Sequence, residues 1–186
     1  RSRGLGDVYK RQDDQGLFGC SSGTIGNLGI VRGNISVGSA ERIGAICGYS
    51  TGTIENCWNS ADITGSTEGG KYVGGICGYS TGTIYGCLNM GDITANSFIG
   101  GICGNTAQST QISNCFNSGS ITGKEQIGGI AGINLNYITF CINAGELTGE
   151  ESVYAVSHSD DVRNIYASIS LSLIHISEPT RPISIS

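Results

Sequence analysis

The feature that most constrains this chain is repetition. Residues 72–94 read YVGGICGYSTGTIYGCLNMGDIT, and the chain from about residue 16 to about residue 170 is built of copies of that stretch. The copies begin at Ile43, Val73, Ile99 and Ile127, at spacings of 30, 26 and 28 residues. A single copy has few large apolar side chains, and its many glycines make backbone ordering expensive. Such a unit cannot bury its own apolar face, but it can bury that face on its neighbours, which is the logic of a solenoid.

Periodicity decides what kind of solenoid. Helical repeats of this length need apolar residues three and four apart over long stretches, and these are missing. Instead Cys87, Asn89, Gly91 and Ile93 fall two apart. So do Cys57, Asn59, Ala61 and Ile63; Cys115, Asn117, Gly119 and Ile121; and Cys141, Asn143, Gly145 and Leu147. Period two is one face of a strand, so each set predicts one inward-facing strand, with Asp62, Asp92, Ser120 and Glu146 on the wet side. A second short strand is expected around Ile76 and Cys77. The predicted fold is all-β, a parallel β-solenoid (β-helix) of about five coils. The coils lie near residues 16–41, 42–71, 72–97, 98–125 and 126–151, with a partial coil at 152–170.

Length differences predict the turns. The fourth copy carries two extra residues between Gly104 and Ile112, and the second carries four between Thr64 and Val73. Loops tolerate insertions and stacked strands do not. Glu41, Arg42, Glu68, Lys71, Lys124, Glu125, Glu150 and Glu151 gather at the second of these turns as a mixed, solvated edge.

Two segments stand outside the repeat. Residues 1–12 read RSRGLGDVYKRQ and residues 171–181 read LSLIHISEPTR. The DNA implied by residues 7–12 is the reverse complement, in a shifted frame, of that implied by residues 171–176. Both resemble the translated mosaic end of a transposase sequencing adaptor. They are therefore set apart from the fold, leaving residues 13–170 as the repeat region. Both prolines go with the tail, and five basic residues face 13 acidic ones in the remainder, a formal charge of −8. No basic stripe offers a surface to nucleic acid, and no apolar run has the length of a membrane span. With unpaired sheet edges at both ends and no proline to block them, end-to-end self-association is expected.

The copies resemble the GLUG motif, a repeat of bacterial secreted and cell-surface proteins, most closely in the [Ile/Val]-Gly-Gly-Ile-x-Gly core and the Asn-x-Gly-x-Ile step. The resemblance covers roughly residues 16–170, and cysteine at two core columns departs from the family pattern. It implies a secreted or surface location and a structural or adhesive role, with a host or surface protein or a glycan as ligand. The alternative is a non-catalytic accessory region of a larger secreted enzyme, a protease or polysaccharide-active protein.

The candidate special residues all form columns. Cys47, Cys77 and Cys103 make one; Cys57, Cys87, Cys115 and Cys141 make another. Their spacing matches no zinc pattern. A disulfide within each coil is one reading. The other is buried free thiols acting as small hydrophobes. The second is favoured because Ala131, Phe18 and Leu28 replace cysteine in other coils. Asn59, Asn89, Asn117 and Asn143 predict a ladder of stacked amides. Ile63, Ile93, Ile121 and Leu147 predict an apolar core column. Neither a catalytic constellation nor a cofactor or metal site is expected. His158 has no matched nucleophile, and the acidic row lacks the loop a calcium site would need.

Overall fold

The computed structural model describes residues 13–36, 40–65, 72–158, 162–163 and 166–167. Both adaptor-like segments, and residues 66–71 of the insertion, Glu68 and Lys71 among them, lie outside the described residues. Within the described residues there is no helix, and none long and apolar enough to cross a membrane. The chain is a β-solenoid of about five turns with a sixth begun, and every described strand pairs in parallel with its equivalent in each adjacent described coil.

One coil shows the plan. Its strands are Tyr72–Gly74, Cys77–Ser80, Thr83–Tyr85, Leu88–Asn89 and Ile93–Thr94. Each belongs to a different sheet, four of six strands and one of five. Five short strands per coil replace the two that periodicity suggested. Cys87 to Ile93 is not one strand: the alternation survives, but the chain turns a corner between Asn89 and Ile93, and the pieces join separate sheets. The inward sequence continues around the corner because Gly91 is also buried there. A Cβ at Gly91 would lie 2.0 Å from the Ala61 carbonyl oxygen of the coil below.

Register follows the repeat. Ile43, Val73, Ile99, Ile127 and Val153 stand in line. Ile35, Ile63, Ile93, Ile121 and Leu147 do the same. Neighbouring rungs of such a sheet are about 4.8 Å apart. Hydrogen bonds between coils also run through the corners, as in Leu88 N–H to Cys57 O and Phe116 N–H to Cys87 O, both 2.9 Å. The two extra residues of the fourth coil form a turn between Cys103–Thr106 and Gln111–Ser113, as length comparison predicted. Glu41, Lys124, Glu125, Glu150 and Glu151 are exposed, and Arg42 is half-buried in an ion pair with Asp14.

The interior splits into two apolar clusters. One joins Ile46, Ile76, Ile102 and Ile130 with Ile54, Ile84, Ile112 and Ile138 and both cysteine columns. The other joins Ile43, Val73, Ile99 and Ile127 with Ile63, Ile93, Ile121 and Leu147. In the first coil Ile30 occupies the place of Asn59 and packs against both clusters, so the asparagine column stands at their join.

A left-handed residue precedes the fourth-sheet strand in each of the first five coils. Asn27, Asn56, Gly86, Asn114 and Phe140 have φ between 51° and 62°. Asn and Gly suit that conformation and Phe does not. The Phe140 ring is 57 % exposed, so little burial compensates the strain. Phe140→Asn is expected to raise stability by about 1 kcal/mol, read as a higher urea midpoint at unchanged slope.

Candidate functional site

The asparagine column is a continuous amide ladder. Each Nδ2 donates along the stack to the next Oδ1: Asn59 to Asn89 at 2.9 Å, Asn89 to Asn117 at 2.8 Å and Asn117 to Asn143 at 2.8 Å. Each Nδ2 also donates to the carbonyl two residues on, namely Ala61, Gly91, Gly119 and Gly145. All four side chains are fully buried. The glycine of the Gly-Gly-Ile step makes room for them. A Cβ at Gly75, Gly101 or Gly129 would lie 2.4 Å from the Cγ of Asn89, Asn117 or Asn143. Every amide is used inside the stack, so this column holds the coil together and presents nothing to a ligand.

Both cysteine columns fall where the repeat places them. Cys47, Cys77 and Cys103 pair directly, with Phe18 below and Ala131 above. Phe18, in the end coil, is 42 % exposed although it shares their column. Cys57, Cys87, Cys115 and Cys141 stack in the second column, each with its thiol 3.3–3.4 Å from the carbonyl two residues earlier. All eight cysteines are free, and only Cys20 is exposed. Hydrogen bonding to the Cys77 thiol, then burial, pushes the Cys47 thiol far up, and burial does the same to Cys77 and raises Cys57. Hydrogen bonding with Cys141 and Cys87 raises Cys115, and hydrogen bonding with Cys115 lowers Cys87 and Cys141. Cys20 is raised to about 11 by partial burial and by its hydrogen bond to the Asp14 carboxylate, 2.8 Å away. Among the described residues no group of three or more His, Cys, Asp or Glu side chains is placed to hold a metal ion.

Two consequences can be measured. Protein freed of reductant should show at most one thiol reacting with an aromatic disulfide reagent at pH 8, the slow Cys20, and eight after denaturation. Stability should also fall as pH rises above the ordinary thiol value of 9.0. There the unfolded chain releases the protons that Cys47, Cys57, Cys77 and Cys115 retain in the fold; these four outnumber the lowered Cys87 and Cys141, so the unfolded state binds fewer protons and the slope is negative. A urea midpoint constant from pH 8 to 10.5 would count against buried protonated thiols.

The row Asp62, Asp92, Ser120 and Glu146 faces solvent, as its alternation predicted. It is also structural: Asp62 Oδ1 accepts the Asp92 N–H at 3.0 Å, and Asp92 Oδ1 accepts the Ser120 N–H at 2.8 Å. His158 packs edge-on against Tyr154, ring centroids 4.9 Å apart.

Two features escaped the sequence reading. The first is another buried polar column, Ser50, Ser80 and Thr106, in which Thr106 Oγ1 donates to Asn134 Oδ1 at 2.8 Å. The recurrence of a hydroxyl three residues after Cys47, Cys77 and Cys103 was its signal. The second is an outward aromatic group. Tyr49 and Tyr79 lie 5.6 Å apart, Tyr79 and Tyr72 5.7 Å, and Tyr72 and Phe98 5.3 Å, with the Arg42 guanidinium 4.9 Å over Tyr49. These five are half-buried and come from two sheets, so no single strand pattern joins them. A second outward row, Trp58, Leu88, Phe116 and Ile142, lines the fourth sheet. Comparison of the chain with protein-family models, with curated proteins and with solved structures gives no match in any of the three.

Proposed function

We propose that this chain is a structural and adhesive repeat segment of a bacterial secreted or cell-surface protein, non-catalytic in itself, which meets a surface protein or a glycan on its outer faces. The observation that carries the reading is where the repeat is kept and where it is broken. The inward asparagine, cysteine and isoleucine columns recur from coil to coil. The outward group of Arg42, Tyr49, Tyr72, Tyr79 and Phe98 is confined to three coils, and Cys20, Asn105 and Ile133 replace the second-sheet tyrosines elsewhere. A constant interior under a varied exterior suits a scaffold that displays a surface. Half-exposed aromatics beside a guanidinium are the side chains that contribute most to binding energy. The carboxylates of Asp62 and Asp92 accept neighbouring backbone N–H groups, which supports a non-catalytic role. The bacterial and surface location rests on the GLUG resemblance.

The test is retention of the immobilised chain on panels of glycans and of extracellular matrix proteins. Changing Tyr49 and Tyr79 together to serine should lower retention on any positive member roughly tenfold, with the far-UV spectrum unchanged. Equal retention of both proteins would move the contact off this face. No retention on either panel would remove the adhesive half of the reading.

A further inference from the structure

We propose that the two cysteine columns are sites of coil-to-coil cross-linking. When the chain folds in the presence of a disulfide donor, bonds form between equivalent cysteines of adjacent coils and not within a coil. The inference rests on the cysteine geometry alone and is independent of the adhesive reading.

Register supplies the first observation. Cys47, Cys77 and Cys103 are direct partners in the second sheet. Parallel partners sit about 4.8 Å apart, inside the Cα separation of about 4.4–6.8 Å that a disulfide spans. The second observation is the direction of the sulfurs. Cys87 N–H donates to Cys115 Sγ, and Cys115 N–H to Cys141 Sγ, both at 3.4 Å. Thiols also hydrogen-bond along each column, Cys77 with Cys47 and Cys103, and Cys115 with Cys87 and Cys141. Within Cys47–Cys77–Cys103 and within Cys87–Cys115–Cys141 each sulfur therefore faces its equivalent one coil away, and Cys57 lies one rung from Cys87, beside the paired Trp58 and Leu88. A cysteine two coils away lies at about twice the rung spacing, beyond the roughly 7 Å limit. A column of three can thus hold one bond and must leave one thiol. A column of four holds two, Cys57–Cys87 and Cys115–Cys141, or one in the middle.

The chemistry is thiol–disulfide exchange. A cysteine thiolate attacks oxidised glutathione, forming a mixed disulfide and releasing one glutathione thiolate. The neighbouring cysteine thiolate then attacks the protein sulfur of that mixed disulfide and releases the second glutathione. Two protein thiols lose two protons and two electrons, and the donor disulfide becomes two thiols. In the finished fold the sulfurs of both columns are buried and closed to a donor, so exchange belongs to the folding chain, as each coil docks on the last.

The experiment refolds the full chain from the reduced, denatured state in a glutathione redox buffer. Remaining thiols are alkylated and the linked peptides are mapped by mass spectrometry. Expected are Cys47–Cys77 or Cys77–Cys103 in the first column and adjacent-coil pairs in the second. Links within a coil, such as Cys47–Cys57 or Cys77–Cys87, would overturn the proposal. So would scrambled pairs, or a native far-UV signal with all eight thiols alkylated. Cys77→Ala should abolish the first-column link, whereas Cys103→Ala should leave Cys47–Cys77 in place. Ala131 already occupies this column, so both variants retain a side chain the stack accepts. A Cys47–Cys103 bond in the Cys77→Ala protein would likewise refute the adjacency rule.

Discussion

Asn89→Ala should destabilise the solenoid by roughly 3–6 kcal/mol, because it orphans several buried groups at once. The Asn89 amide accepts from Asn59 Nδ2 and donates to Asn117 Oδ1 and to the Gly91 carbonyl, at 2.8–2.9 Å. Truncation removes all three bonds and leaves an amide hydrogen and two oxygens without partners in a region closed to water. Each such group costs about 1–3 kcal/mol. A cavity the size of an amide adds to this, unless water enters and offsets part of the loss. Ile84→Val, in a neighbouring and equally buried position, removes only a methylene and should cost about 1 kcal/mol. Urea unfolding of the three proteins side by side is the measurement. An Asn89→Ala midpoint no lower than that of Ile84→Val would mean that the ladder fills space without holding the coils.

Gly104→Ala should be as damaging for the opposite reason, since there an added methyl has nowhere to go. A Cβ at Gly104 would lie 2.4 Å from the Val73 nitrogen and 2.6 Å from the Tyr72 carbonyl carbon. These are backbone atoms of a strand paired on both sides, so they cannot rotate away as a side chain could. Gly48, Gly78 and Gly132 occupy the same place in other coils and meet backbone at 2.4–2.6 Å. Overpacking costs of about 1–3 kcal/mol are usual where side chains give way, and a clash of backbone with backbone should exceed that range. Gly23→Ala is the control, because no atom lies within 4 Å of its added methyl. That change should stay within about 0.5 kcal/mol of the parent. Soluble yield and thermal unfolding of the pair would decide it. Equal stability would imply that the two strands are further apart than the structure places them.

How much of this could be read before any coordinates follows from the residues involved. Cys87, Asn89, Gly91 and Ile93 already specified an inward face by alternating with Leu88, Met90 and Asp92. Repetition at 26 to 30 residues specified that equivalent residues stack. The amide ladder followed, because a buried Asn column in a parallel stack has its own neighbours as its nearest partners. Ala131, Phe18 and Leu28 pointed to an apolar site for the thiols, and all eight cysteines are free in the structure. These conclusions depend only on strand periodicity and translation along the stack, which the chain encodes locally.

What tertiary structure alone decided is how each coil bends and which residues from different strands meet outside it. Alternation of period two continues through the corner between Leu88–Asn89 and Ile93–Thr94, so it could not reveal that one apparent strand is two. Backbone closeness at Gly91 marks that corner, and a left-handed residue such as Gly86 marks the one before it; neither changes the inward pattern. The aromatic group was equally hidden. Tyr72 and Phe98 belong to the first sheet and Tyr49 and Tyr79 to the second, and only the tight Gly-Gly-Ile arc brings their outer faces together. Periodicity says which side of a strand is wet. The angle between successive strands decides which wet side chains become neighbours, and that angle arises only when the coil closes on its own core.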